Sequence, residues 1–277
     1  MPTYNISIIG CGKMGAALLH GWFEAKLLNN AQVLDPYDID PSLSNNPQLF
    51  HVKLMESLSW DKTDIVILAV KPQIMDEICG DLKQILNAKD LGKNLSNIPV
   101  LSIAAGKSTS YFQKHLGADA PIIRSMPNTP AAIGQGISAL YATDNVTPAQ
   151  KQMAEKLLNA VGQTIWIDDE AQMDAVTAVS GSGPAYLFYL IEAMAQAGEK
   201  IGLSPDQAMM LARQTVIGAS ALADKSHDTP ASILRQNVTS KGGTTEAALE
   251  VLMSADFQDT LDKAIQTAFK RGQELSD

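Results

Sequence analysis

The chain has 277 residues, 45% of them apolar and 18% charged, which is long enough for two ordinary domains with their own cores and too apolar for a disordered chain. Its net charge of -9 disfavours general electrostatic attachment to nucleic acid or to an anionic membrane, so a small molecule is the expected partner. Two cysteines, Cys11 and Cys79, are too few for a disulfide framework, the N-terminus opens on a strand pattern instead of a basic and apolar signal, and no apolar run reaches membrane-spanning length, so a cytoplasmic protein is expected.

Tyr4 to Ile9 reads as a short apolar strand that passes directly into Gly10-Cys11-Gly12-Lys13-Met14-Gly15, a complete G-x-G-x-x-G. Met14, Ala17, Leu18, Gly21, Trp22, Ala25 and Leu28 then recur at helical spacing. Strand, glycine loop and helix stand in the order a dinucleotide needs: a tight turn, close approach to the pyrophosphate, and helix amides and dipole facing it. Each residue from Gly10 to Gly15 is therefore a candidate cofactor contact, the alternative being a tight strand-to-helix turn without ligand. A second strand, Gln32 to Leu34, ends at Asp35, 20 residues beyond Gly15, where an acidic residue would hold a ribose 2′-hydroxyl and favour NAD over NADP. Asp35-Pro36 followed by Tyr37-Asp38 is equally ordinary turn chemistry.

The alternation continues with a strand over Asp64 to Val70, a helix over Ile74 to Leu86, a strand over Pro99 to Ala105 and a helix over Ser108 to Leu116. Ala120 to Ser125 and Gly136 to Tyr141 supply two more strands. Uninterrupted apolar strands between helices predict a doubly wound parallel sheet buried on both faces. Ligands collect at the carboxyl ends of such strands. Those ends carry Ala69-Val70-Lys71-Pro72, Ala104-Ala105-Gly106 and Asn128 within Met126-Pro127-Asn128-Thr129-Pro130, each a candidate wall of the cofactor cleft.

Thr147-Pro148-Ala149-Gln150 starts a helix with a threonine cap, proline first and glutamine third, and Gln163 to Asp168 is the last strand. After it only helices follow, so the chain is α/β: a dinucleotide-binding domain over residues 1–165 and an all-helical domain over residues 166–277. Ala185 to Ile191 and Val216 to Ala223 are apolar nearly all the way round, and such helices must be buried on every side. Roughly 110 residues are too few to bury several of them alone. Packing against a second copy of the chain is expected, with burial inside the monomer as the alternative.

Two stretches place helix starts beside glycines. Ser180-Gly181-Ser182-Gly183-Pro184-Ala185-Tyr186 offers amides at a helix opened by proline. Ser240-Lys241-Gly242-Gly243-Thr244-Thr245 runs from two adjacent glycines into another helix and adds two threonine hydroxyls, a candidate anion site, although plain helix-entry geometry gives the same pattern.

The N-terminal glycine fingerprint, Ala69-Val70-Lys71-Pro72, Met126-Pro127-Asn128-Thr129-Pro130, Ser180 to Tyr186 and Ser240 to Thr245, in this order and spacing, resemble pyrroline-5-carboxylate reductase over nearly the whole chain. The resemblance implies a Rossmann-type domain followed by a helical dimerisation and substrate-binding domain. It implies hydride transfer from NADP(H) or NAD(H) to the C=N bond of 1-pyrroline-5-carboxylate, giving L-proline. By position in the motif, Thr245 matches the threonine placed against the ring nitrogen. The substrate carboxylate falls to the amides of Gly243 and Thr244, with Ser240 and Gly242 beside them. Gly181, Ser182 and Gly183 complete the substrate set. In this family the helical domains of two chains interlock in a homodimer, so the two segments belong either to one subunit or to different subunits of one site, with a higher oligomer of dimers left open. No metal is implied. Asp35 departs from the small neutral or basic residue usual in members preferring NADPH, and a carboxylate there would repel a 2′-phosphate. Lys241 replaces a frequent proline.

Two other readings fit the first half of the chain. A β-hydroxyacid dehydrogenase has a similar two-domain plan but typically a lysine on the helix after the interdomain glycines, whereas this helix offers none before Lys200. A non-catalytic nicotinamide-nucleotide-binding protein would have no evident need for Ser240 and Thr245.

Overall fold

A computed structural model describes residues 3–35, 39–86, 97–254 and 256–276. They form two compact units, Met1–Gly181 with Phe269–Asp277, and Ser182–Ala268. The division falls after Gly181, later than the sequence boundary near 165. Residues 170–181 are held to the first unit by side-chain bonds such as Arg124 to Glu170 and Asn128 to the Ser180 carbonyl. Those tertiary bonds leave no trace in local periodicity.

The first unit runs β1 (Tyr4–Ile9), α1 (Lys13–Glu24), β2 (Leu28–Leu34), α2 (Pro41–Ser44), β3 (Leu49–Val52), β4 (Ile65–Leu68), α3 (Met75–Leu86), β5 (Val100–Ser102), α4 (Thr109–Leu116), β6 (Ile122–Met126), β7 (Gly136–Ala142), α5 (Pro148–Asn159), β8 (Gly162–Trp166) and α6 (Met173–Val176). A π-helical turn, Thr177–Gly181, follows α6. The eight strands form one sheet in the order β3-β2-β1-β4-β5-β6-β7-β8. From β3 to β6 every pairing is parallel, with Ile8 of β1 opposite Val33 of β2 and Ile67 of β4. The β6–β7 pairing is antiparallel, unlike the all-parallel sheet the apolar runs suggest. Only residues 127–135 join these strands, and they hold one short 3-10 turn, Thr129–Ile133, too little for a crossover back to the same end of the sheet.

Alternate side chains of each strand enter opposite cores. Ile6, Ile8, Ile65, Ile67, Leu101 and Ile123 pack with Leu18, Leu19 and Trp22 of α1 and with Leu157 and Leu158 of α5. Ile9, Val66, Leu68, Val100 and Ile122 pack on the other face with Met75, Cys79 and Leu82 of α3 and with Phe112 and Leu116 of α4. The Trp22 indole N–H donates to the Leu157 carbonyl at 2.7 Å, which ties α1 to α5 and fixes the rotation of the fingerprint helix. Helix α1 stops at Glu24, so Leu28 belongs to β2 and not to the helical stripe. Lys26 takes a left-handed φ of 54°, and its amide and that of Leu27 close back onto Phe23 and Trp22. At α5, Thr147 and Gln150 form the reciprocal capping box.

The second unit is all helical: α7 (Gly183–Lys200), α8 (Pro205–Lys225), α9 (Ala231–Asn237), α10 (Thr244–Ser254) and the first part of α11 (Phe257–Ser276), whose final turns belong to the first unit. Its own core is small: Ala195, Ala208 and Ala212, supported by Ile191, Leu203 and Met209. Small residues let α7 and α8 approach closely, since a Cβ at Gly198 would stand 3.3 Å from that of Ala208. Leu187, Phe188, Tyr189, Met210 and Leu211 stay exposed in the single chain, Tyr189 at 71%. No helix among the described residues is long and apolar enough to cross a membrane.

Candidate active site

Strand order reverses between β1 and β4, the point at which a doubly wound sheet opens a crevice at its carboxyl ends. The glycine loop lies there, and each glycine has its own reason. Gly10 has φ +92°, and a Cβ on it would stand 2.8 Å from the Ala69 carbonyl oxygen. A Cβ on Gly15 would stand 2.7 Å from the Gly10 carbonyl oxygen, so this glycine lets α1 sit against the loop. A Cβ on Gly12 would meet nothing within 4 Å. Gly12 is the N-cap of α1 and brings no side chain to the first-turn amides, so Lys13, Met14 and Gly15 present N–H groups with no intrahelical acceptor. Open space above free amides at a helix start fits a pyrophosphate.

Asp35 follows β2 and stands over this loop. Its carboxylate accepts the Cys11 N–H at 2.6 Å, and its carbonyl meets His51 Nε2 at 2.9 Å. It thus holds the loop through the Cys11 amide. Of the turn Asp35-Pro36-Tyr37-Asp38, residues 36–38 lie outside the described residues. Burial, and then the charges of Asp35 and Asp40, push the Cys11 thiol up to about 11. It stays a neutral thiol, contributing backbone and bulk.

Along the same edge the sheet order brings Ala69-Val70-Lys71 beside the glycine loop and sets Ala104-Ala105-Gly106 and then Asn128 further out. Ala69 and Val70 are half-buried, Lys71 is exposed, and Pro72 opens a 3-10 turn into α3. Gly106 has φ +72° and a second reason for lacking a side chain: its Cβ would stand 2.5 Å from the Leu275 carbonyl oxygen, so the end of α11 covers it. Asn128 is buried; its amide donates to the Ser180 carbonyl at 3.2 Å and its oxygen accepts the Ile137 N–H at 2.9 Å. A cavity of about 270 Å³, lined by Tyr141, Lys151 and Trp166 among others, lies elsewhere. Strands β7 and β8 run against β6, so this cavity sits at the edge opposite the cofactor loops.

The segment Ser180 to Tyr186 differs from expectation. The chain is already helical through α6 and the π turn before α7 begins, and Ser182 makes no capping bond. Gly183 is therefore not a helix start rising from a loop, and the free-amide argument for Gly181, Ser182 and Gly183 loses its basis. The π turn supplies a different one, because such turns interrupt helices mainly where function requires a local distortion.

In the second unit, Gly242 turns the Ser240–Thr244 loop with φ +70°. Its N–H donates to the Glu246 carboxylate at 2.6 Å, and the Gly243 N–H donates to the Ser240 carbonyl at 3.0 Å. The Gly243 amide is thus engaged within the turn, which corrects its assignment to a carboxylate. The amides of Thr244 and Thr245, first and second residues of α10, have no intrahelical acceptor. Thr245 is half-buried.

Three residues absent from the sequence-based site stand out. The Glu170 carboxylate accepts from Arg124 Nη1 at 3.0 Å, from the Thr109 N–H at 2.7 Å and from the Thr109 hydroxyl at 2.5 Å. The available signal was Arg124 itself, a lone charge inside the apolar strand expected over Ala120 to Ser125.

Residues 170–275 match a family model described as pyrroline-5-carboxylate reductase dimerisation, and residues 5–91 one described as NADP oxidoreductase, coenzyme F420-dependent. The chain is 42% identical to a pyrroline-5-carboxylate reductase of Pseudomonas aeruginosa, with 100% of this chain and 98% of the relative covered. It is 38% identical to one of Haemophilus influenzae, covering 98% and 97%. Among solved structures, a pyrroline-5-carboxylate reductase from Coxiella burnetii superposes with a TM-score of 0.88 at 35% identity, covering 99% of each chain. Plasmodium falciparum pyrroline carboxylate reductase with NADP bound gives a TM-score of 0.83 at 29% identity, covering 100% of each.

Proposed function

This chain belongs to the pyrroline-5-carboxylate reductase family, and from that premise we propose how its own residues carry out the reaction. It is an NAD(P)H-dependent oxidoreductase that reduces the C=N bond of 1-pyrroline-5-carboxylate to L-proline. The observation that carries the site assignment is the glycine loop at the switch point, where Gly10 and Gly15 permit close backbone contact and the space over Gly12 is open.

When bound, the reduced nicotinamide supplies the hydride that reaches the imine carbon. The amides of Lys13, Met14 and Gly15 hold the pyrophosphate, Asp35 faces the adenosine ribose, and Ala69 to Pro72, Ala104, Ala105 and Asn128 form the wall along the sheet edge. Gly106 shapes the same loop through its backbone. As the C=N bond is reduced, charge grows on the ring nitrogen, and the Thr245 hydroxyl serves as the donor that holds or delivers a proton there. The Thr244 and Thr245 amides and the Ser240 hydroxyl hold the substrate carboxylate. Gly242, kept in its turn by Glu246, aims them. The Gly181-Ser182-Gly183 segment lines the substrate side through its backbone.

The chain works as a homodimer built through the helical unit. The exposed apolar residues of α7 and α8 and the dimerisation family model over residues 170–275 support this reading. Assembly of dimers into a higher oligomer and a cytoplasmic location complete the proposal. NADPH and NADH both remain candidates, since Asp35 favours NADH by charge while one hand of its carboxylate is already given to Cys11. Purified protein should oxidise NADPH or NADH only when pyrroline-5-carboxylate is added. Oxidation independent of that imine, or none with it, would contradict the activity.

A further inference from the structure

We propose that Glu170 is a positioning residue for the reductase site, joining the cofactor wall to the segment that leads into the substrate side. Its carboxylate takes three hydrogen bonds from two elements. Thr109, which gives two of them, is the first residue of α4 and follows Gly106 by three positions, so Glu170 fixes the end of the Ala104-Ala105-Gly106 loop. Arg124, which gives the third, lies on β6 four positions before Asn128.

The connection closes on itself. Asn128 donates to the Ser180 carbonyl, and Ser180 lies at the end of the helical segment that Glu170 begins. Two cross-links, Glu170 to Arg124 and Ser180 to Asn128, thus clamp the two ends of residues 170–180 to the two ends of residues 124–128. All but the last residue of the π turn, Thr177–Gly181, lies inside that clamp. Arg124 is only 5% exposed and its charge has Glu170 as its ion-pair partner, so the segment cannot shift without stranding a buried guanidinium. Placement of Asn128 and of the loop ending at Gly106 therefore depends on a carboxylate that need not touch either ligand.

This inference rests on the site proposed above, and its readout is chosen to be separable from turnover. Glu170→Gln, Thr109→Ala and the paired variant Arg124→Met with Glu170→Leu would be compared with wild type. NADPH affinity would be read by fluorescence titration, steady-state constants with pyrroline-5-carboxylate, and Tm by calorimetry. Glu170→Gln should weaken NADPH binding about tenfold or more, because small misplacements of a binding wall carry effects of that order. The paired variant leaves no stranded charge and should recover most of the lost Tm while keeping the weakened affinity. Thr109→Ala removes a single hydroxyl bond, folds readily, and should weaken NADPH binding severalfold in the same direction; its affinity decides the question if Glu170→Gln does not fold. NADPH affinity that returns to wild type together with Tm in the paired variant would overturn the proposal by reducing Glu170 to a purely stabilising residue. Wild-type affinity in both single variants would do the same. Absence of wild-type turnover would instead strike the activity, with the affinity series still deciding the role of Glu170.

Discussion

Substituting Gly12 and Gly15 separately distinguishes a ligand cradle from a mere tight turn. Gly15→Ala would place a methyl group 2.7 Å from the Gly10 carbonyl oxygen, a backbone atom that cannot swing away. Overpacking of this kind costs about 1–3 kcal/mol. For a domain of this size that lowers Tm by roughly 2–4 °C per kcal/mol. Gly12→Ala meets no protein atom within 4 Å, and its backbone, φ -67° and ψ -171°, is open to any residue. Reduced freedom of the unfolded chain contributes about 0.4–1 kcal/mol in its favour. Losing glycine at an N-cap opposes that by a similar small amount, so Tm should stay within about 2 °C of wild type. The added methyl group would nevertheless stand between a pyrophosphate and the first-turn amides. Loss of one hydrogen bond to a charged group, about 1.5–3 kcal/mol, weakens dinucleotide binding roughly tenfold to a hundredfold. Calorimetry and fluorescence titration with NADPH would read the two quantities. A Gly12→Ala protein of normal Tm and normal NADPH affinity would refute the cradle.

Two further outcomes follow from single residues. Asp35→Ser removes a carboxylate that repels a 2′-phosphate, so the ratio of kcat/KM with NADPH to that with NADH should rise; an unchanged ratio would contradict a role for Asp35 in cofactor choice. Phe188→Asp places a charge on an exposed apolar face of α7 and should convert the dimer to monomer in light scattering, with a fall in activity. A dimer of unchanged stability would move the interface away from that face.

The structure was legible in the sequence where its geometry is local. Gly10 to Gly15 could be read because close approach and a free helix start demand glycines at fixed spacing, and the Thr147 cap because its bond reaches only three residues ahead. Strand β3 escaped notice: its four residues, Leu49–Val52, include a histidine and follow a turn, so no run or alternation marks it. The reversal at β7 was hidden because antiparallel and parallel central strands carry the same apolar pattern. Glu170 carries no local mark, since nothing near it in the sequence reveals that an arginine 46 residues earlier pairs with it. Gly106 is similar. Its glycine answers the Leu275 carbonyl, and no window of sequence contains both residues.

The central claim, that Thr245 supplies the donor at the ring nitrogen, is tested most directly by comparing Thr245→Ser and Thr245→Val in NADPH oxidation driven by pyrroline-5-carboxylate. Thr245→Val keeps the shape and removes the hydroxyl. It should lower kcat about 10²–10³-fold with NADPH affinity nearly unchanged, as expected for losing a donor that acts in the transition state. Thr245→Ser, which keeps the hydroxyl, should retain most of the rate. Equal kcat for Thr245→Val and wild type would contradict the account.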